Sequence, residues 1–436
     1  MTDRADVEPT GDGSVGEPGS AHGTVSFAPD IPAEHYRFEL HPGYIAAKSV
    51  EHELFGSGLA NPYFRRIEGF AAGTATIGGR PLINYASYNY LGFCGDPRVS
   101  KAAVEAIERY GTSVSASRIA SGNRQIHEEL EAELAQLLGT DDAVTFVSGH
   151  ATNVTVIGHL FGRKDLILHD ALIHNSVMQG CLLSGAKRVS FPHNDWTALD
   201  RILTQHRRDF ERVLIVIEGV YSMDGDMPDL PRFVELKQRH KAFLMIDEAH
   251  SLGVVGRTGR GLAEHFGVAP GDVDLWMGTL SKTLASCGGY IGGSREMIDY
   301  LRYTAPGFLF SVGMSPPDAA SALAALRLMQ QEPERVARLQ ARAEQFIELA
   351  KAAGLDTGHS RGTAVIPVVV GDSGLALFLS QALFERGIFA LPIVHPAVPA
   401  RNARVRFFLT TLHTEEQIAH TVAEVADVLR KQAAVA

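Results

Sequence analysis

Ala242-Phe-Leu-Met-Ile-Asp-Glu-Ala-His250 is an apolar run that stops abruptly at an acid, and the chain around it repeats the same design. Ala143-Val-Thr-Phe-Val147, Leu166-Ile-Leu-His169, Val213-Leu-Ile-Val-Ile217 and Val273-Asp-Leu-Trp-Met277 are comparable short runs. Between them lie helical patterns such as Leu130, Leu134 and Leu137. Strands separated by helices predict an α/β fold, with a mostly parallel sheet flanked by helices, and residues 96–329 are expected to form this large domain. In such a sheet ligands sit at the carboxyl ends of the strands, so chemistry is expected just after each run.

Outward from this core the pattern changes. Residues 1–35 are rich in Gly, Pro, Ser and acids, lack hydrophobic periodicity and read as a flexible tail. Residues 36–95 lead into the large domain through a short helical stretch and a hairpin, Thr74-Ala-Thr-Ile77, the turn Gly78-Gly79, and Pro81-Leu-Ile-Asn-Tyr85. Residues 330–436 predict a smaller α+β C-terminal domain. It would contain a helix, the strand Thr363-Ala-Val-Ile-Pro-Val-Val-Val370, a second helix, Arg404-Val-Arg-Phe-Phe-Leu409 and a closing helix after Thr414.

The 436 residues carry 50 acidic and 40 basic side chains, a net charge of −10, which repels a phosphate backbone and argues against a nucleic-acid partner. Cys94, Cys181 and Cys287 are odd in number and widely spaced, so neither a disulfide framework nor a cysteine metal site is expected. No apolar run is long enough to span a bilayer, and the first residues lack the apolar centre of a secretory signal. The expectation is a soluble, cytoplasmic protein without a transmembrane segment.

The letters Asp247-Glu-Ala-His250 invite a nucleoside triphosphatase reading, but that chemistry needs a phosphate loop of the form G-x-x-x-x-G-K-[ST], which the chain lacks. One strand further on, Gly278-Thr-Leu-Ser-Lys282 places a lysine and two hydroxyls at the same end of the sheet. A lysine after a strand is by default a solvated charge. Paired with the acid it becomes more specific, because pyridoxal 5'-phosphate chemistry needs a lysine amine for the Schiff base, a carboxylate on the pyridine nitrogen and donors for the phosphate. Lys282, Asp247, Thr279 and Ser281 supply that set. Ser148-Gly-His150-Ala-Thr-Asn153, between a strand and a helix, has the composition of a phosphate-binding helix start, although an ordinary turn there would read the same. For a group stacked on the cofactor ring, His169 and His174 are equal candidates by position.

The succession Asn84-Tyr-Ala-Ser-Tyr-Asn89-Tyr-Leu-Gly92, Ser148 to Asn153, Glu218-Gly-Val-Tyr-Ser222-Met-Asp-Gly-Asp226, Asp247-Glu-Ala-His-Ser-Leu-Gly253 and Gly278 to Lys282 resembles the α-oxoamine synthases, fold-type-I pyridoxal phosphate enzymes. The likeness runs from about Asn61 to the C-terminal helix. It implies that Lys282 is the Schiff-base lysine, that Asp247 meets the pyridine nitrogen, that His250 and Ser222 lie near the ring hydroxyl, and that His174 rather than His169 stacks on the ring. It puts Ser148, Gly149, His150, Thr279 and Ser281 on the phosphate side, and Asn89 and Arg406 on the substrate, leaving Arg404 as a surface charge.

The implied reaction is a decarboxylative condensation of a small α-amino acid (glycine, alanine or serine) with an acyl thioester, giving an α-amino ketone in a homodimer. His150 stands where the family usually has an aromatic residue. Gly111-Thr-Ser-Val-Ser-Ala-Ser117-Arg118 replaces a glycine-rich form common in members that use CoA thioesters, so CoA and a carrier protein both stand as acyl carriers. Two alternatives share the fold: an aminotransferase, and an inactive partner subunit, against which an intact Lys282 argues.

Overall fold

The computed structural model describes residues 31–56 and 60–434. Most of the expected tail, residues 1–30, lies outside the described residues. The chain divides into two compact units between residues 57 and 58. In the first, two 3-10 turns, Ala33–His35 and Phe38–Leu40, precede helix α1, Pro42–Phe55, whose start is capped by the His41 ring accepting from the Gly43 N–H at 3.1 Å.

The second unit opens on the expected hairpin, β1 (Thr74–Ile77) antiparallel to β2 (Arg80–Asn84). Gly78 and Gly79 join them at φ of 58° and 73°, the left-handed pair that a two-residue hairpin turn requires. Helices α2 (Pro97–Tyr110) and α3 (Gln125–Leu138) come next. Then follow β3 (Asp142–Phe146), α4 (Gly149–Leu160), β4 (Leu166–Asp170), α5 (Asn175–Ser184) and β5 (Lys187–Phe191). The series continues with β6 (Val213–Glu218), β7 (Phe243–Asp247), β8 (Leu275–Thr279) and β9 (Gly289–Gly293). The strands β3 to β9 form a seven-stranded sheet in the order β3-β9-β8-β7-β6-β4-β5. Strands β4 to β8 are parallel, and β9 lies antiparallel between β8 and β3.

Strand β6 explains the apolar runs. It is buried along its whole length: Val213, Ile215 and Ile217 pack with Leu244, Ile246 and Trp276 on one face, and Leu214 and Val216 pack with Met245 and Met277 on the other. A strand covered by helices on both sides stays apolar until it leaves the layer, so polar groups first appear at its carboxyl end.

Three elements depart from the sequence-based expectation. β8 begins at Leu275 rather than Val273, in register with Met245 of β7. β5 is an edge strand with exposed Lys187 and Arg188, so its pattern is polar. β9, Gly-Tyr-Ile-Gly-Gly, runs against strand propensity for a packing reason. A Cβ on Gly289 would lie 2.6 Å from the Gly149 Cα, and one on Gly292 would lie 2.7 Å from Leu138 Cδ1.

In the C-terminal part, β10 (Val365–Val369), β12 (Leu391–Ile393) and β13 (Arg404–Phe408) make an antiparallel sheet in the order β10-β13-β12. β11 (Ile388–Phe389) pairs in parallel with β2, so the leading hairpin and the C-terminal part share a sheet. Arg404 is not the surface charge expected of it. It is buried, donating to the Met223 carbonyl at 2.9 Å and to Asp224 Oδ1 at 2.6 Å. Among the described residues no helix is long and apolar enough to cross a membrane.

Ile215→Ala in the middle of β6 should lower stability by about 2–5 kcal/mol, the cost of a cavity in a closed core. Urea unfolding measures it, and an unchanged midpoint would contradict the two-sided burial described for this strand.

Candidate active site

Parallel strands present their carboxyl ends at one edge of the sheet, and the ends of β6, β7 and β8 bring Glu218, Asp247 and Thr279 together there. Glu218 and Asp247 are register partners. The loop after β8 returns Ser281 and Lys282 over the same edge. With Ser148, Gly149, His150, Asn153, His174, Ser176, Ala249, His250 and Met277 they line a cavity of about 260 Å³. Nine of the expected site residues line this cavity: Ser148, Gly149, His150, His174, Asp247, His250, Thr279, Ser281 and Lys282.

Lys282 is half-buried, and burial lowers its amine to about 8, against the opposing pull of Asp247 and Glu218 and with a further lowering from Arg406. Its Nζ lies 5.7 Å from the centre of the Tyr88 ring. The Asp247 carboxylate is held at both oxygens, Oδ1 by the Ala249 N–H at 3.0 Å and Oδ2 by the Asn153 amide at 2.9 Å. Glu218 is buried beside it, and burial followed by the Asp247 charge pushes its carboxyl well above the usual range. His250 is pushed well below the usual imidazole range, first by burial and then by the charges of Lys282 and Arg406, and so is neutral. It pairs through Nδ1 with the Tyr90 hydroxyl at 2.6 Å and stacks on Phe408 at 6.1 Å.

The start of α4 adds to the wall. Ser148 caps the helix by accepting from the Ala151 N–H at 3.0 Å, which leaves the first-turn N–H groups of Gly149 and His150 without intrahelical acceptors. Gly149 is required by a close approach, since a Cβ there would lie 2.8 Å from Thr279 Oγ1. Thr279 and Ser281 share a hydrogen bond of 2.7 Å beside this helix start. Two hydroxyls, a helix N-terminus and a glycine that lets the backbone come close make an anion cradle. The Asp247 carboxylate and the Lys282 amine line the same cavity. In kind this donor set fits pyridoxal phosphate, which needs an anion cradle, a carboxylate and an amine.

Of the two histidines left open by position, His174 lines the cavity, whereas buried His169 turns back to its neighbouring Asp170 carbonyl at 2.8 Å. Ser222 lies outside the cavity wall, its carbonyl accepting from Arg406 Nη1 at 2.7 Å. Arg406 is buried with its guanidinium 4.3 Å from the Phe408 ring centre, and its Nε has no partner among the described residues.

Asn89, expected at the substrate, is buried and held by its own backbone surroundings. Its amide donates to the Ala71 carbonyl at 2.8 Å and accepts from the Cys94 N–H at 3.1 Å, closing its own loop. The neighbouring Tyr88 faces the site, against Lys282 and the His250 ring. Sequence reasoning also missed Asn153, Ser176, Glu218 and Tyr90. Asn153, Glu218 and Tyr90 stand inside quoted motifs, and Ser176 follows His174 by two positions, so proximity to a strand end or helix start was the available signal.

A second buried cluster adjoins this edge. His193 bridges Asp170 Oδ1 at 2.9 Å and Asp226 Oδ2 at 2.8 Å, and the two carboxylates outweigh burial to raise its imidazole to about 10.

The family described as aminotransferase class I and II matches residues 80–425. An 8-amino-7-oxononanoate synthase of Treponema denticola is 40% identical over 82% of this chain and 90% of its own. A serine palmitoyltransferase of Bacteroides ovatus is 37% identical over 87% of this chain and 96% of its own. A solved serine palmitoyltransferase carrying PLP superposes with a TM-score of 0.86 at 30% identity, covering 89% of this chain and 98% of that one. Shared sequence over most of both lengths and a shared fold agree with the motifs: the chain belongs to the aminotransferase class I and II family and, within it, to the α-oxoamine synthases.

Proposed function

We propose that the protein is a pyridoxal phosphate-dependent acyltransferase that condenses a small α-amino acid with an acyl thioester, releasing carbon dioxide and the thiol and leaving an α-amino ketone. The observation that carries this reading is the single cavity shared by the Lys282 amine, the Asp247 carboxylate and the anion cradle at the start of α4. Pyridoxal phosphate, when bound, supplies an electron sink that makes the α-hydrogen of an amino acid acidic.

The chain's own residues do the rest. Lys282 binds the cofactor's aldehyde and moves the proton at the substrate α-carbon, tasks suited to an amine held near 8. Asp247 keeps a negative charge at the ring nitrogen. Gly149, His150, Thr279 and Ser281 hold the phosphate, His174 the ring face, and His250, paired with Tyr90, the ring-hydroxyl side. Arg406, with Tyr88 beside it, offers a planar guanidinium to the substrate carboxylate, and Asn89 completes the substrate side. Glycine, alanine and serine all fit this clamp, and CoA or a carrier protein delivers the acyl group.

The assembly we infer is a homodimer. Val147 and Leu172, each within two residues of a cavity-lining group, are exposed apolar side chains, as are Leu182, Leu183 and Phe310, a pattern that supports burial against a second copy. A cytoplasmic location is consistent with the three unpaired cysteines.

Purified protein incubated with glycine, alanine or serine and a panel of acyl thioesters should yield the amino ketone by mass spectrometry. Conversion of the cofactor by an amino acid alone, with no ketone from any donor, would favour an aminotransferase. Lys282→Ala should lose turnover by roughly 10²–10⁴-fold or more with the fold intact by circular dichroism, and Asp247→Asn should lose most of the rate. The rate at which cofactor-free protein captures pyridoxal phosphate should rise with pH, since only the neutral amine attacks a carbonyl, with its midpoint at about 8. A midpoint near that of free lysine would contradict the environment described for Lys282.

A further inference from the structure

The hydrogen bonds of Asn153 reach two of the groups named above, and the inference drawn from them deepens the proposed function and rests on it. Asn153 is buried one turn into α4. Its Nδ2 lies 2.9 Å from Asp247 Oδ2 and 2.9 Å from Ser176 Oγ. A carboxylate only accepts, so the end of the amide facing it must be the NH₂ and not the carbonyl. Both amide hydrogens are then engaged, one on each neighbour. The Ser176 hydroxyl, having accepted from Asn153, has its own hydrogen free for His174 Nδ1 at 2.7 Å, and the Ser176 backbone N–H converges on the same nitrogen at 3.2 Å. Two donors on Nδ1 leave the ring proton of neutral His174 on Nε2.

We propose that Asn153 is a positioning residue: through one NH₂ it fixes the Asp247 carboxylate directly and the orientation and tautomer of the His174 ring through Ser176. The group that meets the cofactor's ring nitrogen and the group that lies on its face are thereby set by a single side chain. The other end of the amide supports this. Asn153 Oδ1 is buried with no partner among the described residues, a state that costs free energy and persists because both hydrogens of the opposite end are held. Aspartate at this position would turn an acceptor toward Asp247, and alanine would leave Oδ2 without its donor.

The test uses full-length protein with ¹⁵N-labelled histidine, the His174 signals being identified by difference against His174→Gln, alongside an absorbance titration of pyridoxal phosphate affinity. Wild type should show His174 protonated on Nε2 alone. Ser176→Ala, which leaves only the backbone N–H at 3.2 Å on Nδ1, should weaken this single-tautomer signature while keeping cofactor affinity within about threefold, because Asp247 retains its amide donor. Asn153→Asp should lose the signature and weaken the cofactor by about tenfold or more, the scale of one hydrogen bond to a charged group. Asn153→Ala repeats the measurement if the aspartate variant does not fold. A wild-type His174 protonated on Nδ1, or Asn153 variants with unchanged tautomer and affinity, would overturn the proposal. Wild-type protein that binds no pyridoxal phosphate would instead overturn the proposed function, and the His174 signature in cofactor-free protein would still decide the Asn153 linkage.

Discussion

A lysine amine half-buried among two acids and an arginine is the constraint on which the rest of this structure depends. Removing Lys282 from water favours its neutral form, and the Arg406 charge acts in the same direction. Asp247 and Glu218 pull the other way. In a parallel sheet those acids cannot avoid each other, because neighbouring strands end side by side and Glu218 is the register partner of Asp247. The conflict is resolved by pushing Glu218 toward its neutral form while Asp247 receives a donor on each oxygen. One carboxylate then faces one amine, a balance suited to a cofactor that brings its own charged ring and phosphate.

The pairing of Asp247 with Lys282 was legible because both follow buried strands, where a charge is conspicuous against an apolar run. The choice of His174 over His169 was not legible from position, since both lie around the end of the same strand. It came from the motif, and the structure separates them by what each ring touches. Tyr88 was missed for a similar reason: in a loop without period, adjacent side chains point in directions that their partners decide, here Ala71 and Cys94 for Asn89 and Lys282 for Tyr88. The glycines of β9 and the burial of Arg404 were hidden because each depends on a contact far away in sequence.

Arg404 and Arg406 show how the C-terminal sheet serves the site. Two apart on β13, they share a face and bind the same short segment, Arg406 at the Ser222 carbonyl and Arg404 at Met223 and Asp224. His193 holds the far end of that segment through Asp226. The segment is thus pinned from two sides, by buried Arg404 and Arg406 and by half-buried His193.

The place of β9 in the sheet also orders events during synthesis. β9 is the last of the seven strands to be made, yet it is the neighbour of β3 and the surface against which Gly149 and Thr152 pack. Strands β4 to β8 can pair with one another as they emerge, since apart from the β9 side of β8 their neighbours lie among themselves. β3, though made first, waits at the margin without a partner, and the helix start behind it waits without a floor. On the ribosome the surface against which the start of α4 packs is therefore completed only after Lys282 has been made, so the acid and the amine of the cavity are synthesised before its helix wall can settle.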